Sequence, residues 1–192
     1  MRLPKPFRLL VLFNILAMII MGNQVCGQNL ITKDIVQIDL SFFQGSAPKN
    51  SPYASMTFID YDYQFDVESN SRTGEVKVNL TVNIVPNSAK SYLDVSRVHK
   101  SDIDRLVNHE QGHVIIGFII GKKVEDELNA CRYTRNYKEE IRANYQKFYT
   151  RYEKIQLEYD KQTRHGANLE AQERWNKKLR VYLGKFAKNI SL

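Results

Sequence analysis

Apolar and polar residues alternate along part of the N-terminal half of the chain. Residues 56–67 are rich in Tyr, Phe and Ile, and between residues 76 and 84 every second position is apolar. Such alternation is typical of a half-buried β-strand, and the polar segment 68–74 between the two runs is typical of a turn. We therefore predict an antiparallel hairpin over residues 56–85, and a less regular strand over residues 35–43.

The spacing of the apolar residues becomes helical after about residue 101. Ser101 and Asp102 are suitable N-caps for a first helix, whose segment 114–121 is apolar on all sides, as expected of a buried helix. This segment is too short to cross a bilayer, which takes about 20 apolar residues. Two further amphipathic helices are predicted at about 136–160 and 168–187.

The composition suits one globular domain, because 43% of the 192 residues are hydrophobic and 26% are charged. We predict an α+β fold of the zincin type, in which an antiparallel sheet (about residues 30–86) packs against a helical half (about residues 101–187). The net charge is +7, but residues 101–192 mix 18 basic with 13 acidic side chains and form no basic stripe. We therefore expect no nucleic-acid partner.

The first 27 residues have the pattern of a secretory signal peptide. Three basic residues precede an apolar run at 9–21, and small residues at positions 25 and 27 suit cleavage before Gln28. The run is shorter than the roughly 20 residues of a transmembrane helix. We expect a secreted or periplasmic protein of residues 28–192, with no membrane span after cleavage.

The two cysteines leave one alternative open. A lipoprotein anchored through Cys26 would stay at the membrane, although the residues before Cys26 make a poor lipidation motif. Cleavage before Gln28 removes Cys26, so the mature chain keeps only Cys131 and cannot form an internal disulfide. We expect Cys131 to be a small apolar residue of the core.

Candidate chemistry is concentrated in the sequence His109-Glu110-Gln111-Gly112-His113. On a helix, residues four apart lie on the same face, so both imidazoles can bind one zinc ion. Glu110 then lies beside the metal, where it can take a proton from a zinc-activated water molecule. The motif predicts zinc-dependent hydrolysis of peptide bonds, with Glu110 as the general base.

A zinc peptidase site needs a third protein ligand, and the sequence leaves several candidates open. The extended metzincin motif is excluded, because positions 116 and 119 are both Ile. His165 lies in the turn between the predicted second and third helices, and an antiparallel second helix would bring this turn back to the motif. Glu139 and Glu140 remain as later alternatives.

A second motif follows the first after about fifty residues. It reads Tyr159-Asp160-x-x-Thr163-x-His165-Gly166 and is followed by Gln172-x-x-Trp175. Together the two motifs resemble the bacterial domain-of-unknown-function 922 (DUF922) family, over about residues 35–185. Members of this family are secreted, and zinc-dependent protease activity has been suggested for them.

The resemblance supports His109 and His113 as zinc ligands, Glu110 as the base and the segment 160–165 as part of the site. We predict His165 as the third ligand, with Asp160 orienting one of the ligands through a hydrogen bond. Tyr159 is a candidate for stabilising an oxyanion.

Two functions are therefore considered. The first is a secreted zinc metallopeptidase that acts on peptides or proteins. The alternative is a catalytically silent secreted zinc-binding domain that binds a partner in the cell envelope. Glu110 favours the enzyme, because zinc binding alone does not need it. Family members often carry polar residues shortly after the second His, whereas this chain has an apolar run at 114–117, and that difference favours the alternative.

Overall fold

A computed structural model describes three segments of the chain, namely residues 35–70, 72–73 and 76–189. The predicted signal peptide lies outside the described residues. The predicted α+β class is confirmed, because four strands in the N-terminal half precede three long helices. These elements are β1 (Ser55–Met56), β2 (Ile59–Ser69), β3 (Val76–Pro86), β4 (Tyr92–Leu93), α1 (Ile103–Asn129), α2 (Tyr137–Thr163) and α3 (Leu169–Asn189).

The strands form two small antiparallel sheets. β2 pairs with β3 along its full length, from Ile59 opposite Pro86 to Ser69 opposite Val76. This pairing confirms the predicted hairpin, whose alternate apolar side chains face the helices and form the main core with them. β1 pairs with β4 in a separate two-stranded sheet. The predicted single sheet is thus divided in two.

The strand predicted over residues 35–43 does not form, so this part of the prediction was wrong. The backbone is extended at Asp39 and then enters a 3-10 turn at Leu40–Phe42. The side chain of Gln111 takes the place of a partner strand: its oxygen accepts from the Ile38 amide at 2.8 Å, and its nitrogen donates to the Val36 carbonyl at 3.1 Å. The segment therefore lies against α1 and not in a sheet.

α1 is the central element of the fold. Its apolar run is buried as predicted, between the β2–β3 hairpin on one side and the other two helices. Asp102 occupies the N-cap position, as predicted, but its side chain makes no capping hydrogen bond, and a 3-10 turn at Lys100–Asp102 leads into the helix. None of the helices in the described part of the chain is long and apolar enough to span a membrane.

α2 returns antiparallel to α1, so that its C-terminal end lies beside the His109–His113 segment. Tyr159 of α2 is fully buried, stacks on His109 with ring centroids 4.7 Å apart, and packs edge-on against Trp175 of α3. The antiparallel return predicted from the sequence is confirmed. α3 begins after Asn168, whose side chain accepts from the Ala171 amide at 3.1 Å.

Cys131 follows the end of α1 and is a free thiol that is partly buried beside the main core. Its sulfur donates to the Glu127 carbonyl and accepts from the Asn144 amide. It is therefore a boundary residue of the core with weak polar contacts.

Candidate metal centre

Three side-chain atoms that can bind a metal converge between α1 and the end of α2. The Nε2 atoms of His109 and His113 lie 3.2 Å apart, and Asp160 Oδ1 lies 3.1 Å from the first and 2.9 Å from the second. Tetrahedral ligands at the usual zinc distance of about 2.0–2.1 Å are about 3.3 Å apart. The three atoms therefore have nearly the spacing of three corners of a zinc tetrahedron, and they could hold a metal ion.

The ring of His113 is oriented by Gln156 of α2. Its Nδ1 lies 2.6 Å from Gln156 Oε1, and the amide nitrogen of Gln156 donates to the His113 carbonyl at 3.1 Å. Because the amide nitrogen faces a carbonyl, Oε1 must be the acceptor and His113 Nδ1 must carry the proton. A neutral His113 therefore presents a bare lone pair at Nε2, toward Asp160.

The ring of His109 is oriented in the same way by Gln172 of α3. Its Nδ1 lies 3.1 Å from Gln172 Oε1, while the Gln172 amide nitrogen donates to the Tyr159 hydroxyl and to Asn176 Oδ1. The Tyr159 hydroxyl in turn donates to the His109 carbonyl at 2.9 Å. Both amide protons of Gln172 are engaged, so its oxygen accepts from Nδ1, and Nε2 of His109 is also bare.

When both rings are neutral, three electron-pair donors thus face one another, which is repulsive unless a proton or a metal ion joins them. Burial lowers the pKa of His113, but the hydrogen bond to Asp160 and the charge of Glu110 outweigh it and raise the pKa above 6.5. Burial raises the pKa of Asp160, but its contacts with the two histidines outweigh it and lower the pKa below 3.8. Both shifts indicate that the site attracts positive charge, either a proton or a metal ion.

Glu110 is buried directly beside this group, with 3% of its surface exposed. Its Oε1 accepts a hydrogen bond from the Ser55 hydroxyl of β1 at 2.6 Å. Its Oε2 is buried and has no hydrogen-bond partner among the described residues. Leaving a buried carboxylate oxygen unpaired is costly, so this atom fits a site in which a further hydrogen-bond donor takes part.

His165 contacts Asp160 but lies outside the group of three. Its Nδ1 is 3.3 Å from Asp160 Oδ1, and its side chain is half exposed. Its ring packs on that of Tyr53, with the centroids 4.8 Å apart. The structure thus brings both predicted residues to the site, but it is the Asp160 carboxylate that contacts the two histidine rings of the motif.

The turn after α2 holds His165 in this place. Arg164, His165 and Gly166 all have positive φ angles, of 51°, 52° and 80°. This conformation is strained for non-glycine residues and persists only where the surroundings hold it. Arg105 donates to the Gly166 carbonyl at 2.8 Å, and a Cβ at Gly166 would lie 2.9 Å from the Cβ of His109. Gly166 therefore allows the turn to pack against the metal centre.

Gly112 fits the same tight packing from inside the motif. A Cβ at this position would lie 2.1 Å from the Tyr159 hydroxyl oxygen. Because that hydroxyl bonds to both His109 and Gln172, a side chain at Gly112 would displace the contacts that orient His109.

Three other residues considered from the sequence have different roles. Glu139 and Glu140 lie in the first turn of α2, at the opposite end of the helix from Asp160, and Glu140 binds Thr134. The hydroxyl proton of Tyr159 is donated to a carbonyl within the buried network, so Tyr159 does not fit the suggested role at an oxyanion.

The residues that orient the site were not predicted from the sequence. Gln156 lies four residues before Asp160 and therefore on the same face of α2, which is the one signal that marks it. Gln172 was part of the second motif without an assigned role. Ser55 lies in the two-residue strand β1, directly before the predicted hairpin of residues 56–85, and had no assigned role.

One protein family matches the part of the chain that forms this candidate centre. The family described as bacterial protein of unknown function, DUF922, matches residues 38–166, which are 129 of the 192 residues. The chain belongs to the DUF922 family. No curated protein and no solved structure matches it significantly. The matched range includes His109, His113 and Asp160 and ends before Gln172.

In this DUF922 protein, a cleft of about 660 Å³ opens over the candidate metal centre. The residues 52–57, which include β1, form one wall, and the start of β2 continues it. α1 supplies the floor with His109, Glu110 and His113, and α2 supplies the opposite wall with Gln156 and Asp160. The candidate metal centre is therefore accessible from this cleft.

Proposed function

We propose that this protein is a zinc-dependent metallopeptidase. His109, His113 and Asp160 are the zinc ligands in this proposal, and Glu110 is the general base. The observation that carries it is the convergence of two bare imidazole nitrogens and a carboxylate oxygen beside a buried carboxylate, at the floor of an open cleft.

The donor set favours zinc among the common metals. Two imidazole nitrogens and one carboxylate oxygen suit a borderline-soft ion, whereas magnesium and calcium prefer oxygen ligands alone. Three protein ligands leave a coordination position free, as in catalytic zinc sites. The hydrogen bonds from His113 and His109 to Gln156 and Gln172 are the outer contacts that commonly orient histidine ligands.

In this proposal Asp160 and His165 exchange the roles that the sequence predicted. Asp160 binds the metal, and His165, held by the strained turn after α2, places its Nδ1 3.3 Å from the same Asp160 Oδ1 atom. The distances support this exchange, because Asp160 Oδ1 lies within 3.1 Å of both histidine nitrogens of the motif.

Zinc held in this way supplies a Lewis acid that polarises a carbonyl and lowers the pKa of a water molecule toward 7. Glu110 takes the proton of the attacking water through its unpaired Oε2, while the Ser55 hydroxyl holds Oε1 and fixes the carboxylate plane. Glu110 then delivers the proton to the leaving amine, so that the base is regenerated.

β1 is the strand that suits an extended substrate. Asp94 donates to the Ala54 carbonyl, and Ser55 pairs with Leu93 in the β1–β4 ladder. Because hydrogen bonds alternate along an antiparallel ladder, the main-chain groups of Ser55 point away from β4. They form an edge that can bind a peptide backbone directly above Glu110.

The strand segments 76–85 and 56–66 are the other candidates for this edge. The outer edge of β3 is occupied, since Asn129 binds both main-chain groups of Leu80 and Glu125 binds the Val82 amide. The segment 56–66 is divided between β1 and β2, and we assign the role to β1.

One argument for the alternative, a silent zinc-binding domain, is weaker in view of the contacts of the two histidines. The apolar run after His113 suggested that outer-shell partners were lost. In the structure those partners come from Gln156 and Gln172 on the other two helices. Glu110 is not needed for zinc binding, and burying an unpaired carboxylate oxygen without a catalytic role would only lower stability.

The proposal is tested by metal-dependent hydrolysis. The purified protein is stripped of metal, and its cleavage of a mixed peptide library is followed by mass spectrometry before and after one equivalent of zinc is added. We expect no cleavage by the metal-free protein and cleavage after zinc addition. Stoichiometric zinc binding without any cleavage would favour the binding-domain alternative.

A further inference from the structure

The cleft above the metal centre is lined by uncharged side chains. Outside His109, Glu110, His113 and Asp160, the described residues that line it include no Lys, Arg, Asp or Glu. Large apolar or aromatic side chains approach from three sides instead. They belong to the wall before and within β1, to α1 and to α2, and include Tyr53, Met56, Leu106, Tyr149 and Leu157.

Two arginines near the cleft are engaged elsewhere. Arg105 donates to the Gly166 carbonyl at 2.8 Å and pairs with Asp102 at 3.4 Å. Arg97 donates to the carbonyls of the loop before β1, including that of Tyr53 at 3.0 Å. Neither guanidinium lines the cleft, so neither is placed to bind the α-carboxylate of a substrate.

The carboxylates of the cleft are engaged as well. Glu110 Oε1 is held by Ser55, and its unpaired Oε2 is the base in the proposed mechanism, while Asp160 contacts His109 and His113. An aminopeptidase needs a carboxylate to bind the free amino group of its substrate, and a carboxypeptidase needs a cation for the free carboxylate. Apart from the candidate metal centre itself, the described lining offers only His165, and its Nδ1 already contacts Asp160 at 3.3 Å.

Two exposed side chains mark the rim of the cleft. Leu157 of α2 is 69% exposed, although it lies only three residues before Asp160. Tyr53 lies on the facing wall, two residues before Ser55, and is 38% exposed. A peptide bound along the Ser55 edge would project alternate side chains toward the cleft, where they would bury this apolar surface.

We infer that the site cleaves within a chain, next to large apolar side chains, and does not recognise a free terminus. The substrate class is an extended, locally uncharged polypeptide segment, and the activity is that of an endopeptidase. This inference rests on the proposed function, but it concerns which peptides bind and where they are cut.

The test compares hexapeptides that differ only in their ends and their central residues. One series has Phe-Leu at the centre, with free ends or with acetylated and amidated ends. Matched series have Lys-Lys or Glu-Glu at the centre. The zinc-loaded protein should cleave the blocked and free Phe-Leu peptides at rates within about threefold of each other. It should cleave both at least about 10-fold faster than the charged peptides, given the free energy of burying one large apolar side chain.

Binding provides a readout that does not depend on turnover. The Glu110→Gln variant is loaded with zinc, and its affinity for the same peptides is measured by calorimetry. Leu157→Glu should weaken binding of the blocked Phe-Leu peptide about 10-fold. Leu169→Glu is the matched control, because Leu169 is 64% exposed on α3 and does not line the cleft. It should leave the affinity unchanged.

The outcomes distinguish a failure of the endopeptidase inference from a failure of the peptidase proposal. Cleavage that requires a free end, or that prefers charged central residues, would overturn the inference and leave the peptidase proposal intact. Absence of all cleavage would count against the peptidase proposal. In that case the binding series still decides the inference: equal affinity for the apolar and charged peptides, or equal effects of Leu157→Glu and Leu169→Glu, would overturn it.

Discussion

One side chain, Gln156, holds both the ring and the main chain of His113. Its oxygen accepts from His113 Nδ1 at 2.6 Å, and its nitrogen donates to the His113 carbonyl at 3.1 Å. The first contact selects the tautomer and the second prevents the amide from turning over. In the neutral ring, Nε2 of His113 is therefore free to accept a proton or a metal ion.

Replacement of Gln156 should therefore weaken metal binding without unfolding the protein. Gln156→Met keeps the length of the side chain and removes both hydrogen bonds. Loss of an outer-shell partner of this kind typically costs 10–100-fold in metal affinity, and we expect an effect in that range. Zinc affinity is measured by competition with a chelator. Gln146→Met, on an exposed part of the same helix, is the control and should change the affinity by less than about twofold.

Asp160 should contribute more to zinc binding than His165 does. We expect Asp160→Ala to lower zinc affinity by more than the roughly 100-fold that marks an outer-shell loss, and His165→Ala to lower it by less. His99→Ala is the control, because His99 is exposed and precedes α1. If His165→Ala proved as damaging as Asp160→Ala, the sequence-based assignment of His165 as the third ligand would be restored.

Gly112→Ala should destabilise the protein and the metal centre together. The added methyl would lie 2.1 Å from the Tyr159 hydroxyl oxygen. Overpacking of this kind costs about 1–3 kcal/mol, and we expect the free energy of unfolding to fall by that amount. Gly184→Ala in α3 is the control: no atom lies within 4 Å of its Cβ position, and the change should stabilise the helix by about 1 kcal/mol. Urea denaturation of both variants measures the difference, and equal effects would contradict the packing shown around Tyr159.

The stability of the metal-free protein should depend on pH through Asp160 and His113. Because the pKa of Asp160 is lowered in the folded protein, its carboxylate stabilises the fold above pH 3.8. This contribution is lost as the pH falls through the lowered pKa. Because the pKa of His113 is raised in the folded protein, its protonated ring stabilises the fold below pH 6.5. This contribution is lost as the pH rises through the raised pKa. The pair therefore stabilises most between about pH 3.8 and 6.5.

Zinc should stabilise the protein more strongly as the pH rises above about 6, which is opposite to the trend of the metal-free protein. The reason is that the ligands must lose their protons before they bind zinc. From about pH 6 to 8, the melting temperature of the metal-free protein should fall relative to that of Asp160→Asn. The increase in melting temperature produced by zinc should grow over the same range. A zinc effect that is independent of pH would show that the metal does not displace a proton from this site.

Much of the fold could be predicted from local patterns. The β2–β3 hairpin follows from alternation, because one face of each strand is buried against α1 and the other is not. The three helices follow from apolar spacing. The segment 35–43 could not be predicted, because its main-chain hydrogen bonds go to the side chain of Gln111, 73 residues away from Ile38.

The candidate site was predictable where one helix fixes the spacing, and less so where three helices meet. His109, Glu110 and His113 form a unit within α1. The assignment of the third ligand depends on how far α2 runs past the motif, and the helix ends at Thr163, close to Asp160. Gln156 lies on a helix whose sequence resembles a solvated surface, so its role appears only when α1 and α2 are packed together.

The most direct test of the account is the Glu110→Gln variant. The change keeps the size of the side chain and its contact with Ser55, and it removes the base. Zinc content should equal that of the unmodified protein, because Glu110 is not a ligand in this assignment. Peptide hydrolysis by the zinc-loaded variant should be about 10²–10⁴-fold slower. A zinc-loaded Glu110→Gln protein that hydrolyses peptides as fast as the unmodified protein would contradict the account.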